Sequence, residues 1–172
     1  MNLFRPSENI LEKICEDEVV SLYETYTRDD EHTDEIKIRL FAIGLYYKTC
    51  EFYSLFNDES KLDGPKTISI AGEAMKNCYH HGPKDKEILF GLFFGDKGVC
   101  YGFSDGGNYF KDKEIKYLWE NKIEITEFDQ NTPNNFRCGV NRFIFPDSDI
   151  IEVDIEKGIL YLAQFKKSII SD

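Results

Sequence analysis

At Glu87 the spacing of apolar residues changes from helical to extended, and that change narrows the folds open to this chain more than any other feature. Ile88 to Phe94, ILFGLFF, is a short continuous apolar run that ends at Gly95-Asp96-Lys97-Gly98. A run of that length bounded by turn residues reads as a buried strand. Val99 to Phe103, VCYGF, follows as its partner in a β-hairpin. Near the C-terminus Asp149 to Ile155, the turn Glu156-Lys157-Gly158 and Ile159 to Phe165, ILYLAQF, repeat the arrangement. Strands joined by tight turns pair antiparallel. The expected fold is therefore α+β. It is a two-layer sandwich with a mixed, mainly antiparallel sheet, helices packed on one face, and extra N-terminal helices.

The helical segments lie mostly upstream. Glu8 to Tyr26 carries Ile10, Leu11, Ile14, Val19, Leu22 and Tyr23 at three- and four-residue intervals and reads as one helix. A charged connection, Thr27 to Thr33, leads to Asp34 as a cap for a helix running to about Phe56. The apolar residues Ile36, Leu40, Phe41, Ile43, Tyr47, Cys50, Phe52 and Phe56 predict that this helix is largely buried. Gly64-Pro65 breaks the next loop, and a helix is expected from about Thr67 to His81, stopped by Gly82 and Pro83. Lys111 to Asn121 is amphipathic, with Ile115, Leu118 and Trp119 inward. Arg137 to Phe145 reads as a glycine turn opening a short helix before Pro146.

At 172 residues the chain is expected to form a single domain over residues 1–172, with 1–33 as an N-terminal helical extension. The net charge of −11 makes nucleic acid and anionic membrane poor partners. No apolar run is long enough to span a bilayer. Cys15, Cys50, Cys78, Cys100 and Cys138 are odd in number and lack C-x-x-C spacing. They read as reduced thiols of a cytoplasmic protein. Cys78, His80 and His81 lack a fourth zinc ligand at any usual spacing.

Within the helix of residues 67–81, Ile70, Ala71, Ala74, Met75 and Cys78 form one apolar face. Glu73, Asn77 and His81 step along its edge as i, i+4, i+8. Such an edge belongs either to an ordinary amphipathic helix facing water or to the wall of a cleft. Downstream, Ser104-Asp105-Gly106-Gly107-Asn108 ends a strand with two glycines, which permits close approach of a ligand to the backbone. It also fits a simple Asx turn.

Taken together, E-x-x-x-N-x-x-x-H-G (Glu73, Asn77, His81, Gly82), D-x-G (Asp105, Gly107) and the Gly139-Val140 turn before a helix and hairpin resemble a known family. It is the GHKL, or Bergerat, ATP-binding fold of histidine kinases, a heat-shock chaperone class, DNA gyrase and the anti-sigma-factor serine kinases. The helix motif is most similar to the anti-sigma branch. The match covers roughly residues 66–166, and residues 34–166 would form the histidine-kinase-like ATPase domain. The resemblance implies ATP and Mg²⁺ as cofactors and Glu73 as general base toward a water or hydroxyl. It implies Asn77 as the Mg²⁺ ligand, Asp105 as acceptor for the adenine amino group, and Gly107 where the base meets the backbone. His81 would join the nucleotide-binding edge, and Gly139 would contribute to a phosphate-binding glycine turn. Residues 129–136 would be a nucleotide-ordered lid. Two positions depart from the family pattern. Tyr109 stands where a glycine is frequent, and so does Arg137; Arg137 or Arg142 is a candidate phosphate contact.

The function implied is an ATP-binding regulatory protein that acts on, or sequesters, a protein partner. An ATP-dependent serine/threonine kinase and an ATPase both fit, and a homodimer is compatible. The alternative is a non-enzymatic interaction module that keeps the fold with a degenerate nucleotide site.

Overall fold

A computed structural model describes residues 4–16, 19–28, 31–54, 63–123 and 140–166, with the backbone alone for 31–34. Its centre is a five-stranded sheet of β1 (Val20–Tyr26), β2 (Ile88–Phe94), β3 (Gly98–Ser104), β4 (Ile150–Asp154) and β5 (Ile159–Phe165). The order is β1-β2-β3-β5-β4, and every neighbouring pair is antiparallel. Both expected hairpins are present. The second is folded back so that β5, not β4, lies against β3, with Tyr101 opposite Leu162.

Helices α2 (Glu31–Ser54), α3 (Gly64–His81) and α4 (Lys113–Glu120) cover one face. There Phe90, Leu92 and Phe94 of β2, Val99, Tyr101 and Phe103 of β3, and Leu160 and Leu162 of β5 meet Phe41, Ile70, Met75 and Trp119 in the main core. The intervening residues Phe93, Cys100, Tyr161 and Ala163 point to the other face. They pack there against Phe4 and against Ile10, Leu11 and Ile14 of α1 (Glu8–Ile14). The central strands are thus covered on both sides, which is why β2 and β5 read as unbroken apolar runs without alternation.

The expected helix over residues 8–26 is corrected. Only Glu8–Ile14 is helical, and Val20–Tyr26 is an edge strand paired with β2 from Val20↔Phe94 to Tyr26↔Ile88. Leu22, Glu24 and Tyr26 face α2, whereas Ser21 and Tyr23 face the α1 side. An edge strand half open to solvent has polar and apolar residues on both faces, and short windows of it mimic a three- and four-residue helical spacing. The N-terminal region is therefore part of the sheet as well as helical.

Two further boundaries shift. α3 begins at Gly64, because Asp63 caps it by accepting the Lys66 N–H at 3.3 Å and Pro65 lies in the first turn, where its missing N–H costs nothing. α2 is not largely buried. Phe41 and Leu45 are in the core, but Ile36, Leu40, Ile43 and Tyr47 are 47–67% exposed.

Polar contacts tie the layers together. Gln164 of β5 accepts hydrogen bonds through Oε1 from the Thr67 hydroxyl of α3 (3.1 Å) and from the Tyr101 hydroxyl (3.0 Å), all three buried. At the β4 edge, Glu120 accepts the Val153 N–H at 2.8 Å and Lys116 donates to the Val153 carbonyl at 2.7 Å. Two side chains of α4 thereby occupy hydrogen-bonding positions that a further strand would take.

Candidate functional site

The edge of α3 expected to carry chemistry runs beside the end of β3. Ile70, Ala71, Ala74, Met75 and Cys78 are buried in the core, and Glu73 and Asn77 are half-buried at its border. His81, at the last turn, is exposed. At the other end of the same edge, Lys66 pairs with Asp147 at 3.2 Å, which ties α3 to the π-helical and helical turns of Val140–Ile144 and Phe145–Asp147. That segment packs along α3 and brings Val140 and Ile144 into the core.

Asp105 leaves β3 buried, at 6% exposure, and its Oδ1 accepts the Gly107 N–H at 2.8 Å. This is the Asx turn expected of D-x-G. Gly106 has φ +74°, a conformation that favours glycine, and a Cβ there would lie 2.8 Å from Lys86 Cβ. The turn sits against the end of α3: a Cβ on Gly82 would come 2.6 Å from Asp105 Cβ. Asp105 is near enough to act electrostatically on both Cys78 and His81. The structure therefore brings the end of α3, with His81, to the Asp105–Gly107 turn, with Asn77 one turn of helix before His81 and Glu73 one turn before Asn77. Arg137 and Gly139 lie outside the described residues, as does the expected lid at 129–136.

The residue that holds this corner together escaped the reading of the sequence. Arg28 follows β1, and its guanidinium donates to four backbone carbonyls. Nη1 reaches Pro83 O (2.7 Å) and Lys86 O, while Nη2 reaches Cys78 O (2.7 Å) and Asp105 O (3.4 Å). One planar fork thus joins the C-terminus of α3, the loop after it and the Asp105 turn. The positive charge also suits the negative end of the helix dipole. In the sequence Arg28 is one cation within a charged connection, and no local pattern distinguishes it.

Two groups at the edge have altered properties. Burial raises the Glu73 carboxyl above the ordinary carboxylate range, with Lys76 and His80 pulling it partly back. Loss of solvent on its protein side, with nearby His80, lowers the His81 imidazole, while Asp105 opposes the shift. The raised Glu73 carboxyl binds its proton more tightly in the folded than in the unfolded chain. Its contribution therefore favours folding at low pH and is lost as pH rises through the folded-state value. Glu73→Gln is expected to be more stable than the native protein at pH 7, and the two should converge below about pH 4, where an unfolded glutamate is itself protonated. Chemical denaturation across that pH range measures it.

Asn77 Nδ2 is buried and has no hydrogen-bond partner among the described residues. An unpaired buried amide costs roughly 1–3 kcal/mol. Tyr109, at the altered glycine position, does not stand free. Its ring packs edge-on against Phe110 at 5.0 Å, and its hydroxyl accepts the Trp119 indole N–H at 3.3 Å. No cluster of three or more His, Cys, Asp or Glu side chains fit to hold a metal occurs among the described residues. Cys78 is fully buried and its thiol is pushed far up, while His80 and His81 are exposed, so these three do not converge. No helix among the described residues is long and apolar enough to cross a membrane. No protein-family model and no curated protein matches the chain.

Proposed function

We propose that this chain binds Mg²⁺-ATP at the corner between α3 and the Asp105 turn and uses it to regulate a protein partner, in the manner of the anti-sigma-factor serine kinases it resembles. The observation that carries the reading is the buried amide of Asn77, which has no hydrogen-bond partner among the described residues, on the helix whose end packs against the Asp105 turn. Asn77 and Asp105 are the binding residues in this reading. The carboxamide offers an oxygen to a hard cation and N–H groups to phosphate. Asp105, held by Gly107 through Oδ1, keeps a second oxygen to accept from an amino group. A single protein oxygen suits Mg²⁺, which retains waters and takes phosphate oxygens for the rest of its shell. When bound, the nucleotide supplies a transferable phosphoryl group whose charge the metal offsets.

The residues of the chain position and exchange protons. Arg28 fixes the Asp105 turn relative to α3. Glu73, with its raised carboxyl, is suited to accept a proton from an attacking hydroxyl or water at neutral pH. The reading with no nucleotide, a pure interaction module, rests on the departures at Tyr109 and Arg137. Because Tyr109 is engaged with Phe110 and Trp119, the first departure weighs less than the sequence suggests.

A thermal-shift titration separates the two. Ligand at about one hundred times its Kd stabilises by about 2.7 kcal/mol, which for a domain of this size raises Tm by roughly 5–10 °C. The native chain is expected to show that rise with millimolar Mg²⁺-ATP, and Asn77→Ala is expected to lose most of it while its unliganded Tm stays at or above the native value, because the unpaired amide is gone. A folded native protein with no shift removes the nucleotide reading.

A further inference from the structure

The sheet has two edges, and the chain blocks only one of them. On β4, Lys116 and Glu120 of α4 occupy the carbonyl and the N–H of Val153. Among the described residues no backbone group pairs with the outer side of β1, whose inner neighbour is β2. β1 is seven residues long and pairs with β2 in unbroken register. Proline, lysine and bulges usually blunt an edge against a further strand, and β1 holds none of them. Its one carboxylate, Glu24, is engaged by Lys48 and the Tyr26 hydroxyl. In an antiparallel pair every second residue turns its N–H and carbonyl outward, so roughly half of β1 offers both groups to an added strand. A pocket flanks this edge on each face of the sheet. On the α2 side a groove of about 340 Å³ is lined by Leu22, Leu40, Phe41, Phe90 and Leu92. A Cβ at Gly44 on the same groove would meet nothing within 4 Å, which leaves room for an incoming side chain. On the α1 side a pocket of about 460 Å³ is lined by Tyr23, Phe93 and three carboxylates spaced four residues apart, Glu8, Glu12 and Glu16.

We infer that β1 receives, as a further strand, an extended segment of a protein partner in which lysine or arginine alternates with apolar residues. Successive side chains of a strand point to opposite faces, so the two pockets take alternate residues of one such segment. Main-chain hydrogen bonds along the edge supply affinity, and the pockets supply the choice of sequence. The two faces differ in chemistry, and that difference selects the occupant. The α2-side groove suits valine, isoleucine or leucine. The α1-side pocket suits cations. There Arg5 pairs with Glu8 at 3.2 Å and Lys97 pairs with Glu16, but Glu12 has no ion pair among the described residues. Both pairs are exposed at the surface, where such contacts are weak and a competing cation displaces them at little cost. The net charge of −11 draws a basic segment toward the chain from a distance. A second copy offering its own β1 does not match, because VSLYETY holds no cation to meet the glutamates.

The test uses the full chain without nucleotide, so its outcome is independent of the nucleotide reading. Its probe is a fluorescent peptide of about eight residues alternating lysine and valine, titrated by anisotropy. A Kd of about 10–100 μM at low salt is expected, with the glutamate–valine counterpart binding at least about tenfold more weakly. Glu12→Lys should weaken the lysine peptide about tenfold, and Glu12→Gln gives a second measure should the reversal disturb folding. Backbone N-methylation separates strand addition from attraction between charges. Methylating either the lysine amides or the valine amides blocks one side of the peptide at a time, so one of these two peptides should lose binding and the other keep it. In residue-resolved hydrogen exchange, alternate amides of Val20–Tyr26 should exchange fast in the free chain and slow when the unmodified peptide binds. No binding at about 1 mM peptide overturns the inference, as does equal binding of the two methylated peptides. Outward amides already slow in the free chain also overturn it, because another segment or a second copy then covers β1.

Discussion

Arg28→Ala is expected to lower stability by about 3 kcal/mol, roughly 6–12 °C in Tm for a chain of this length, and to abolish the response to Mg²⁺-ATP. Four carbonyls from three separate segments converge on this one guanidinium. Hydrogen bonds from a charged donor are each worth more than neutral ones, about 1.5–3 kcal/mol. Water recovers part of that when the side chain is removed, because the site is only part-buried, so the net loss is set well below the sum. Arg28→Lys should restore less than half. An ammonium keeps the charge at the end of α3 but cannot present two nitrogens in one plane to carbonyls on opposite sides. Denaturant melts report the stability and a thermal-shift titration the response. A fully stable Arg28→Ala protein would mean that the α3 terminus and the Asp105 turn are held by their own hydrogen bonds.

Trp119→Ala should have a comparable effect, about 3–5 kcal/mol. The indole is 1% exposed and meets Phe110 at 5.3 Å and Phe145 at 5.6 Å, both edge-on. It is also the one buried residue of α4, so its removal leaves the helix held by the partly buried Ile115 and by Lys116 and Glu120 on Val153. It strips the Tyr109 hydroxyl of its donor as well. Trp119→Phe, which keeps most of the volume, should cost less than half as much. Urea unfolding followed by circular dichroism measures both.

The hairpins were legible because each joins two apolar runs through a short glycine-containing turn, a signal carried by adjacent residues. The end of α3 was legible for the same reason, in Gly82-Pro83. Its start was misplaced because Pro65 breaks a helix in general but opens one when an aspartate caps the turn before it. β1 was misread because its partner, β2, lies more than sixty residues downstream, and nothing within Val20–Tyr26 announces that pairing. The outward stripe of α2 is indistinguishable from core in the sequence, because apolar spacing says which residues share a face but not which way the face points. At the candidate site, the motif placed Glu73, Asn77 and Asp105 on their elements. Arg28, which holds those elements together, acts through backbone carbonyls, and a partner that is backbone leaves no trace in side-chain identity.

The position of β5 in the sheet bears on how the chain is made. β5 is the last of the five described strands to be synthesised, yet it sits inside the sheet, between β3 and β4. Until it arrives, β3 is an edge whose residues Val99, Cys100, Tyr101 and Phe103 will all be buried in the finished protein. A nascent chain that has reached β4 therefore carries an open, apolar strand edge while the described helices are already synthesised. Closing the sheet then requires contacts between distant parts of the chain, such as Gly98 with Phe165, which slows folding relative to a helical bundle of the same length. The interval before β5 docks is the period of greatest exposure to aggregation, and it is the interval in which a chaperone would bind.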